Sequence, residues 1–172
     1  MVNIKINGKV VSVKEGSTIL QAARENGFIV PSLCYLKEIS EVAACRVCVV
    51  EIRGEDRLAA ACNTLCREGM EIITDSPRVI EARRNNVELI LSRHDCRCPT
   101  CSRNSNCALQ NLAGDMNLLD PVFETKLPEN DWDMSLPIIR TSSKCIQCLR
   151  CVNVCDKLQG MNVWDMLGTG RY

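Results

Sequence analysis

Residues 31–48 read PSLCYLKEISEVAACRVC and carry three cysteines, and a fourth, Cys62, follows shortly afterwards. Successive gaps of ten, two and thirteen residues separate Cys34, Cys45, Cys48 and Cys62. A Cys-x2-Cys pair lets one loop clamp one metal while more distant cysteines complete the set. This spacing predicts a 2Fe–2S cluster, in which each of the two irons takes two thiolates.

Zinc is the alternative for the same cysteines, because a structural zinc site also takes four thiolates, often as two short knuckles. The Cys62-x3-Cys66 pair could form a loose second knuckle opposite the Cys45-x2-Cys48 pair. In the 2Fe–2S interpretation, Cys66 has no place in the pattern and is a free thiol.

The sequence around these cysteines predicts an α+β module over residues 1–77, with several strands and one packed helix. Val2, Ile4 and Ile6 alternate with polar residues, and Asn7-Gly8 is typical of a hairpin turn. Further strands are predicted at residues 10–13, 47–52, 58–61 and 70–74, and a helix from Thr18 to Asn26 with Ser17 as its N-cap. The cysteine-rich loop then lies away from the sheet.

The chain's only histidine opens a second cysteine group, with the pattern His94-x3-Cys98-x2-Cys101-x5-Cys107. Three thiolates and one imidazole can hold a 4Fe–4S cluster. A neutral imidazole in place of a thiolate lowers the negative charge and eases reduction, as histidine does in Rieske centres. A zinc site with the same four ligands is the alternative, and Cys96 is interpreted as non-ligating.

Helices are predicted on both sides of this second group. Ser76 and Pro77 are typical of an N-cap and a first helical position, and the helix should run to about Ser92. A second short helix is predicted from Cys107 to about Asn117. Residues 78–119 are therefore expected to form a small helical module. Residues 120–140 hold three prolines and several acids without periodicity, which is typical of a linker.

The third group, Cys145-x2-Cys148-x2-Cys151-x3-Cys155, has the spacing of bacterial ferredoxins. In that run three cysteines bind one 4Fe–4S cluster and the fourth, here Cys155, serves the second cluster of a two-cluster fold. No cysteine occurs in the 17 residues after Cys155. We therefore expect residues 141–172 to be the first half of a ferredoxin-type domain, either truncated or completed by another subunit. One or two further 4Fe–4S clusters are expected if the chain continues past Tyr172.

These motifs together resemble the iron–sulfur region of a known group of oxidoreductases. The group comprises the large iron–sulfur subunit of NADH-quinone oxidoreductases, NAD-linked formate dehydrogenases and iron-only hydrogenases. The resemblance is carried by residues 31–34, 45–48, 94–113 and 145–160, and by the tail GMNVWDM at 160–166. The tail and Cys155 are most similar to the N-terminal region of the catalytic subunit of NAD(P)-linked, electron-bifurcating iron-only hydrogenases. Asp156 departs from the proline that is usual in bacterial ferredoxins.

The resemblance implies a plant-ferredoxin-like β-grasp domain, then the His-ligated 4Fe–4S module, then part of a bacterial-ferredoxin-like domain. It also implies an electron-transfer role within an oxidoreductase, with no catalytic centre in these residues. Its partners would be a flavin-bearing, NAD(P)H-oxidising iron–sulfur subunit and a ferredoxin, in a hetero-oligomeric complex. The catalytic end would be a hydrogen-forming iron centre or a molybdopterin formate site.

Composition restricts the other classes of function. Basic and acidic residues balance at 21 each, which argues against broad nucleic-acid binding. No apolar run is long enough to span a membrane. The 13 cysteines are odd in number and follow no signal peptide, so a reduced, cytoplasmic protein is expected rather than a disulfide framework. A structural zinc scaffold and a small stand-alone electron carrier remain the alternative functions.

Overall fold

A computed structural model describes residues 1–118, 122–129, 135, 137 and 139–166. The predicted linker at residues 120–140 lies partly outside these described residues, so it stays a prediction. The strands are β1 (Val2–Ile6), β2 (Lys9–Val13), β3 (Val49–Ile52), β4 (Ala59–Ala60) and β5 (Glu71–Ile73). The helices are α1 (Ile19–Glu25), α2 (Pro77–Leu91), α3 (Ala108–Asp115) and α4 (Arg150–Lys157), with 3₁₀ turns at Cys98–Thr100 and Ser142–Lys144.

The five strands form one mixed sheet in the order β2-β1-β5-β3-β4. The β1–β5 pair is parallel, while the other neighbours are antiparallel. The predicted hairpin turn is confirmed, since Asn7 and Gly8 join β1 to β2 with φ angles of 49° and 83°. Two consecutive positive φ angles are what a type I′ turn requires.

The main apolar core lies between this sheet and α1. Ile4 and Ile6 of β1 face the core with Ile72 of β5, and α1 contributes Ile19 and Leu20. Burying a side chain of this size contributes roughly 1.5–3 kcal/mol. The core therefore holds β1, α1 and β5 as a platform, and the cysteine-bearing loop between α1 and β3 extends from it.

Helix α1 begins one residue later than predicted, because Thr18 rather than Ser17 is its N-cap. The Thr18 hydroxyl accepts a hydrogen bond from Gln21 N at 3.3 Å, and the Gln21 side chain accepts one from Thr18 N at 2.9 Å. This reciprocal capping box needs a glutamine or glutamate three residues after the cap. Ser17 has Leu20 at that position, which cannot return the bond.

We expect the Thr18→Ala variant to lose about 1 kcal/mol of stability, because the N-terminal amides of α1 lose their acceptor. In a chain of this size that corresponds to a fall of about 2–4 °C in the unfolding midpoint. Ser17→Ala is the matched control and should unfold near the wild-type temperature. Circular dichroism melts of identically prepared samples check this, and equal losses in both variants would contradict the capping assignment.

The predicted start of α2 is confirmed. Ser76 is the N-cap, with its hydroxyl accepting from Val79 N at 3.3 Å and donating to Glu51 Oε2 at 2.6 Å. The second predicted helix is found as α3, with Cys107 at its N-cap position. No helix in the described ranges is long and apolar enough to cross a membrane.

Helix α4 was not predicted, and it ties the third cysteine group to the first. Arg150 donates from Nε to the Cys34 carbonyl at 3.3 Å and from Nη2 to the Tyr35 carbonyl at 2.8 Å. Further along the same helix, Lys157 Nζ donates to the Ile39 carbonyl at 2.8 Å. The segment that carries the third group therefore lies against the loop that carries Cys34.

Candidate metal centres

The structure brings the first predicted ligand set together in one buried place. Cys34, Cys48 and Cys62 are fully buried, and Cys45 is 7% exposed. The four thiols also shift one another's pKa values, Cys34 with Cys45 and Cys62, and Cys48 with Cys62. Cys66 is also buried, and burial alone raises its pKa, whereas the four thiols above act on one another.

The pKa values of the four thiols shift in opposite directions. Hydrogen bonds from the Cys45 and Cys62 side chains hold the pKa of Cys34 far below its ordinary value, and a hydrogen bond from Cys62 lowers the pKa of Cys48. Donation to Cys34, together with burial, raises the pKa values of Cys45 and Cys62. Binding a metal to these thiols would release the protons that they hold.

The loop backbone around these sulfurs also fits an anionic group. Ala43 and Arg46 adopt left-handed conformations, with φ angles of 54° and 52°. The backbone N–H groups of Ala44 and Cys45 help to lower the pKa of the Cys34 thiol, and that of Val47 acts in the same direction on Cys45. Such N–H donors stabilise negative charge on cluster sulfurs and tune the potential.

Among the described residues, no group of three or more His, Cys, Asp or Glu side chains is arranged to hold a single metal ion. The fit of the first group to a 2Fe–2S cluster therefore rests on the burial of its four thiols, on their mutual pKa shifts and on the left-handed backbone of its loop.

In the second group, His94 directly follows the end of α2 and has a buried ring nitrogen. Its backbone N–H donates to the Leu91 carbonyl at 3.0 Å. Its Nδ1 is buried without a hydrogen-bond partner. Burial and the nearby Lys144 charge lower the pKa of the imidazole, against a smaller opposing effect of Asp95. A neutral ring nitrogen with an unused lone pair fits the role of a metal ligand.

The cysteines of the second group lie on short turns between α2 and α3. Cys98 opens a 3₁₀ turn, Cys101 ends it, and Cys107 occupies the N-cap position of α3. All three are partly exposed, whereas Cys96 is exposed and donates its thiol to the His94 carbonyl at 3.3 Å. The non-ligating role of Cys96 stays a prediction.

A polar clamp that the sequence pattern did not reveal holds the His94 segment. The Asp95 carboxylate is buried and accepts from Arg97 Nη2 at 2.7 Å, which with other bonds holds its pKa below the usual range. Asp95 N donates to the Ser143 carbonyl, and Lys144 Nζ donates to the Asp95 carbonyl, both at 2.8 Å. In the sequence, the only signal of this clamp is the position of Asp95 next to His94. Two of its partners, Ser143 and Lys144, lie on the second 3₁₀ turn, far along the chain.

The third group lies on the turn before α4 and on the helix itself. Cys145 Sγ accepts from Gln147 N at 3.4 Å, and both Gln147 and Leu149 have positive φ angles, of 53° and 60°. Cys155 is buried in α4, whereas Cys151 is exposed. Left-handed residues therefore lie next to the cysteines in this loop, as they do in the loop of the first group.

One apolar cluster contains cysteines from all three groups, and we call it the junction cluster. Its buried members are Leu33, Cys34, Cys45, Val47, Val87 and Leu109. The half-buried residues packed against it include Cys107, Ile146 and Cys148. Cysteines of all three groups therefore pack in or against one apolar cluster.

Two family models match the chain. Residues 1–77 match the 2Fe-2S iron-sulfur cluster binding domain, and residues 83–121 match the NADH-ubiquinone oxidoreductase-G iron-sulfur binding region. Binding domains for both cluster types are thus present, and the mixed sheet with its helices is consistent with a ferredoxin-like domain.

The chain is 31% identical to the gamma subunit of NAD-reducing hydrogenase HoxS from Cupriavidus necator over 171 residues, which covers 98% of the chain and 72% of that protein. The chain belongs to the family of this gamma subunit. A crystal structure of NAD⁺-reducing [NiFe]-hydrogenase in the H₂-reduced state matches with a TM-score of 0.88 and 27% identity, covering 98% of our chain and 71% of that one. The family resemblance seen in the sequence is confirmed.

Larger relatives in this family contain the same region. The HndD subunit of the NADP-reducing hydrogenase from Solidesulfovibrio fructosivorans is 39% identical over 99% of the chain. The G 2 subunit of the NADH-quinone oxidoreductase from Rhizobium meliloti is 36% identical over 93% of the chain. The chain spans only 30% and 19% of these two proteins. The relatives are subunits of oxidoreductase complexes, so the chain is an iron–sulfur region of that class.

Proposed function

We propose that the chain conducts electrons between a flavin-bearing, NAD(P)H-oxidising subunit and a catalytic centre outside these residues. The catalytic centre proposed first is that of an iron-only, electron-bifurcating hydrogenase. The observation that carries the proposal is the junction cluster, which packs cysteines of three groups around one apolar core. Electrons pass efficiently only between redox centres that lie close together, and this packing supplies that proximity.

The proposed ligand sets follow the three groups. Cys34, Cys45, Cys48 and Cys62 hold the 2Fe–2S cluster in a β-grasp domain. His94, Cys98, Cys101 and Cys107 hold a 4Fe–4S cluster. Cys145, Cys148 and Cys151 contribute to a ferredoxin-type 4Fe–4S cluster, and Cys155 to a second one. The domain boundaries at residues 77, 119 and 140 remain predictions, as does a cytoplasmic location.

When bound, the clusters accept and release single electrons, which is the chemistry of the cofactor. The chain's own residues exclude water, supply N–H donors and set charge. Burial of Cys34, Cys48 and Cys62 keeps the first site dry. Burial lowers the pKa of the His94 imidazole and so favours the neutral ring, which ligation requires.

The proposed partners are a flavin/NAD(P)H-oxidising subunit and a ferredoxin, in a hetero-oligomeric complex. The names of the hydrogenase relatives support a nicotinamide-linked complex. The corresponding region of an NADH-quinone oxidoreductase large subunit is the second candidate, favoured by the relative from Rhizobium meliloti. A NAD-linked formate dehydrogenase would use the same region in the same way.

Metal analysis tests the proposal directly. Protein purified without oxygen from cells supplied with both iron and zinc should be brown and contain iron with acid-labile sulfide. After reduction, EPR should show separate signals for a 2Fe–2S and a 4Fe–4S cluster. Stoichiometric zinc without sulfide would instead support a structural scaffold and overturn the electron-transfer role.

A further inference from the structure

A buried arginine on α2 lies next to the first candidate centre. Arg83 is only 7% exposed. Its guanidinium donates to the Val49 carbonyl from both Nε, at 3.2 Å, and Nη2, at 2.8 Å. Val49 opens β3 and directly follows Cys48 in the chain. The two bonds fix the guanidinium beside the peptide that joins the Cys-x2-Cys pair to the sheet.

The positive charge of Arg83 is not neutralised by an ion pair within the part of the chain that the structure describes. Burial lowers the pKa of its guanidinium, while negative charge on Cys48 and on the exposed Asp75 opposes that change. Burying an uncompensated charge is strongly unfavourable, so a structure that retains one needs compensation from elsewhere. The buried sulfurs that include Cys48 are negative groups able to provide it.

We propose that Arg83 raises the reduction potential of the first centre by holding a fixed positive charge beside Cys48. The proposal rests on the proposed function, since it requires a 2Fe–2S cluster on the four cysteines. A cluster held by four thiolates is negatively charged, and its negative charge grows when it accepts an electron from a reductant. A nearby cation therefore stabilises the reduced form more than the oxidised form.

Because Arg83 is buried, its positive charge acts strongly on the first centre. Charges interact more strongly in the protein interior than at the surface, where water and salt screen them. Arg78 lies on the same helix, but it is exposed and donates to the Asp56 carbonyl. Removing the Arg78 charge should therefore shift the potential much less than removing that of Arg83.

Redox titration followed by EPR of the 2Fe–2S signal tests the proposal on the whole chain. At a fixed solution potential, Arg83→Gln should lower the ratio of reduced to oxidised cluster by roughly tenfold or more, where tenfold equals about 59 mV for one electron. Arg83→Lys, which keeps the charge, and Arg78→Gln, the matched surface control, should both stay within about threefold of wild type by the same relation.

Each outcome decides for or against the role of Arg83. The role of Arg83 is overturned if the 2Fe–2S signal of Arg83→Gln has the same potential as that of wild type. It is also overturned if Arg78→Gln shifts the potential as much as Arg83→Gln does. If Arg83→Gln does not retain the cluster, Arg83→Met removes the charge while filling the buried space, and its titration is interpreted in the same way. Loss of the cluster in both charge-free variants would make Arg83 structural and also overturn the proposal. Absence of a 2Fe–2S signal from wild type would instead refute the proposed function.

Discussion

Replacing Cys62 with serine should remove the 2Fe–2S signal, whereas replacing Cys66 with serine should leave it. The Cys62 side chain forms hydrogen bonds with both Cys34 and Cys48, so its loss opens the proposed ligand set. Burial alone raises the pKa of Cys66, whose side chain lies in the core between the sheet and α1. We expect Cys62→Ser to reduce the cluster content by at least roughly tenfold, since even residues that only support ligands matter by 10–100-fold.

The two cysteines form a matched pair because both are buried and only four positions apart. A general cost of placing a hydroxyl in an apolar site therefore affects both variants. Spin quantitation of the dithionite-reduced proteins by EPR, with iron and sulfide analysis, gives the measurement. Equal loss in both variants, or loss only in Cys66→Ser, would show that the ligand assignment of the first centre is wrong.

Replacing His94 with cysteine should keep a 4Fe–4S cluster but make it harder to reduce. The buried and unpartnered Nδ1 shows that His94 has a free ring nitrogen, and a thiolate at this position would add a negative charge to the centre. Added negative charge disfavours the reduced state, as comparison with histidine-ligated Rieske centres indicates. We expect the ratio of reduced to oxidised cluster at a fixed potential to fall by about tenfold or more, or about 59 mV per factor of ten.

Cys96→Ser is the control for this experiment, because Cys96 is an exposed thiol two residues away. Its 4Fe–4S signal should titrate together with wild type. Redox-titrated EPR of the three proteins separates the possibilities. An unchanged potential in His94→Cys would refute imidazole ligation, and a shift in Cys96→Ser would point to Cys96 as the ligand instead.

Local signals predicted the fold where a few neighbouring residues decide the conformation. Asn7-Gly8 and Ser76-Pro77 act through their own backbone preferences, so the hairpin and the start of α2 could be predicted directly. The N-cap of α1 was misplaced because two adjacent hydroxyl residues can each cap, and only Gln21 decides between them. Helix α4 was not predicted, because the third group was interpreted from its cysteine spacing and not from helical periodicity.

The sequence likewise predicted some features of the candidate centres and not others. Cysteine spacing singled out the four thiols that the structure buries in the first group, because metal ligands recur at characteristic separations. The Asp95–Lys144 clamp and the Arg83–Val49 bond join residues 49 and 34 positions apart. Such pairings depend on how α2 packs against other elements, which no local pattern reports. The charges near the candidate centres were therefore visible only in the folded chain.

The bonds from α4 to the loop of Cys34 limit how freely this region could be recombined during evolution. Arg150 and Lys157 reach carbonyl groups that lie 115 to 118 positions earlier in the chain. A gene fusion that replaced residues 141–172 would also replace Arg150 and Lys157. The loop that carries Cys34 would then lose the donors that hold it. The segments are therefore expected to be inherited together, as one unit.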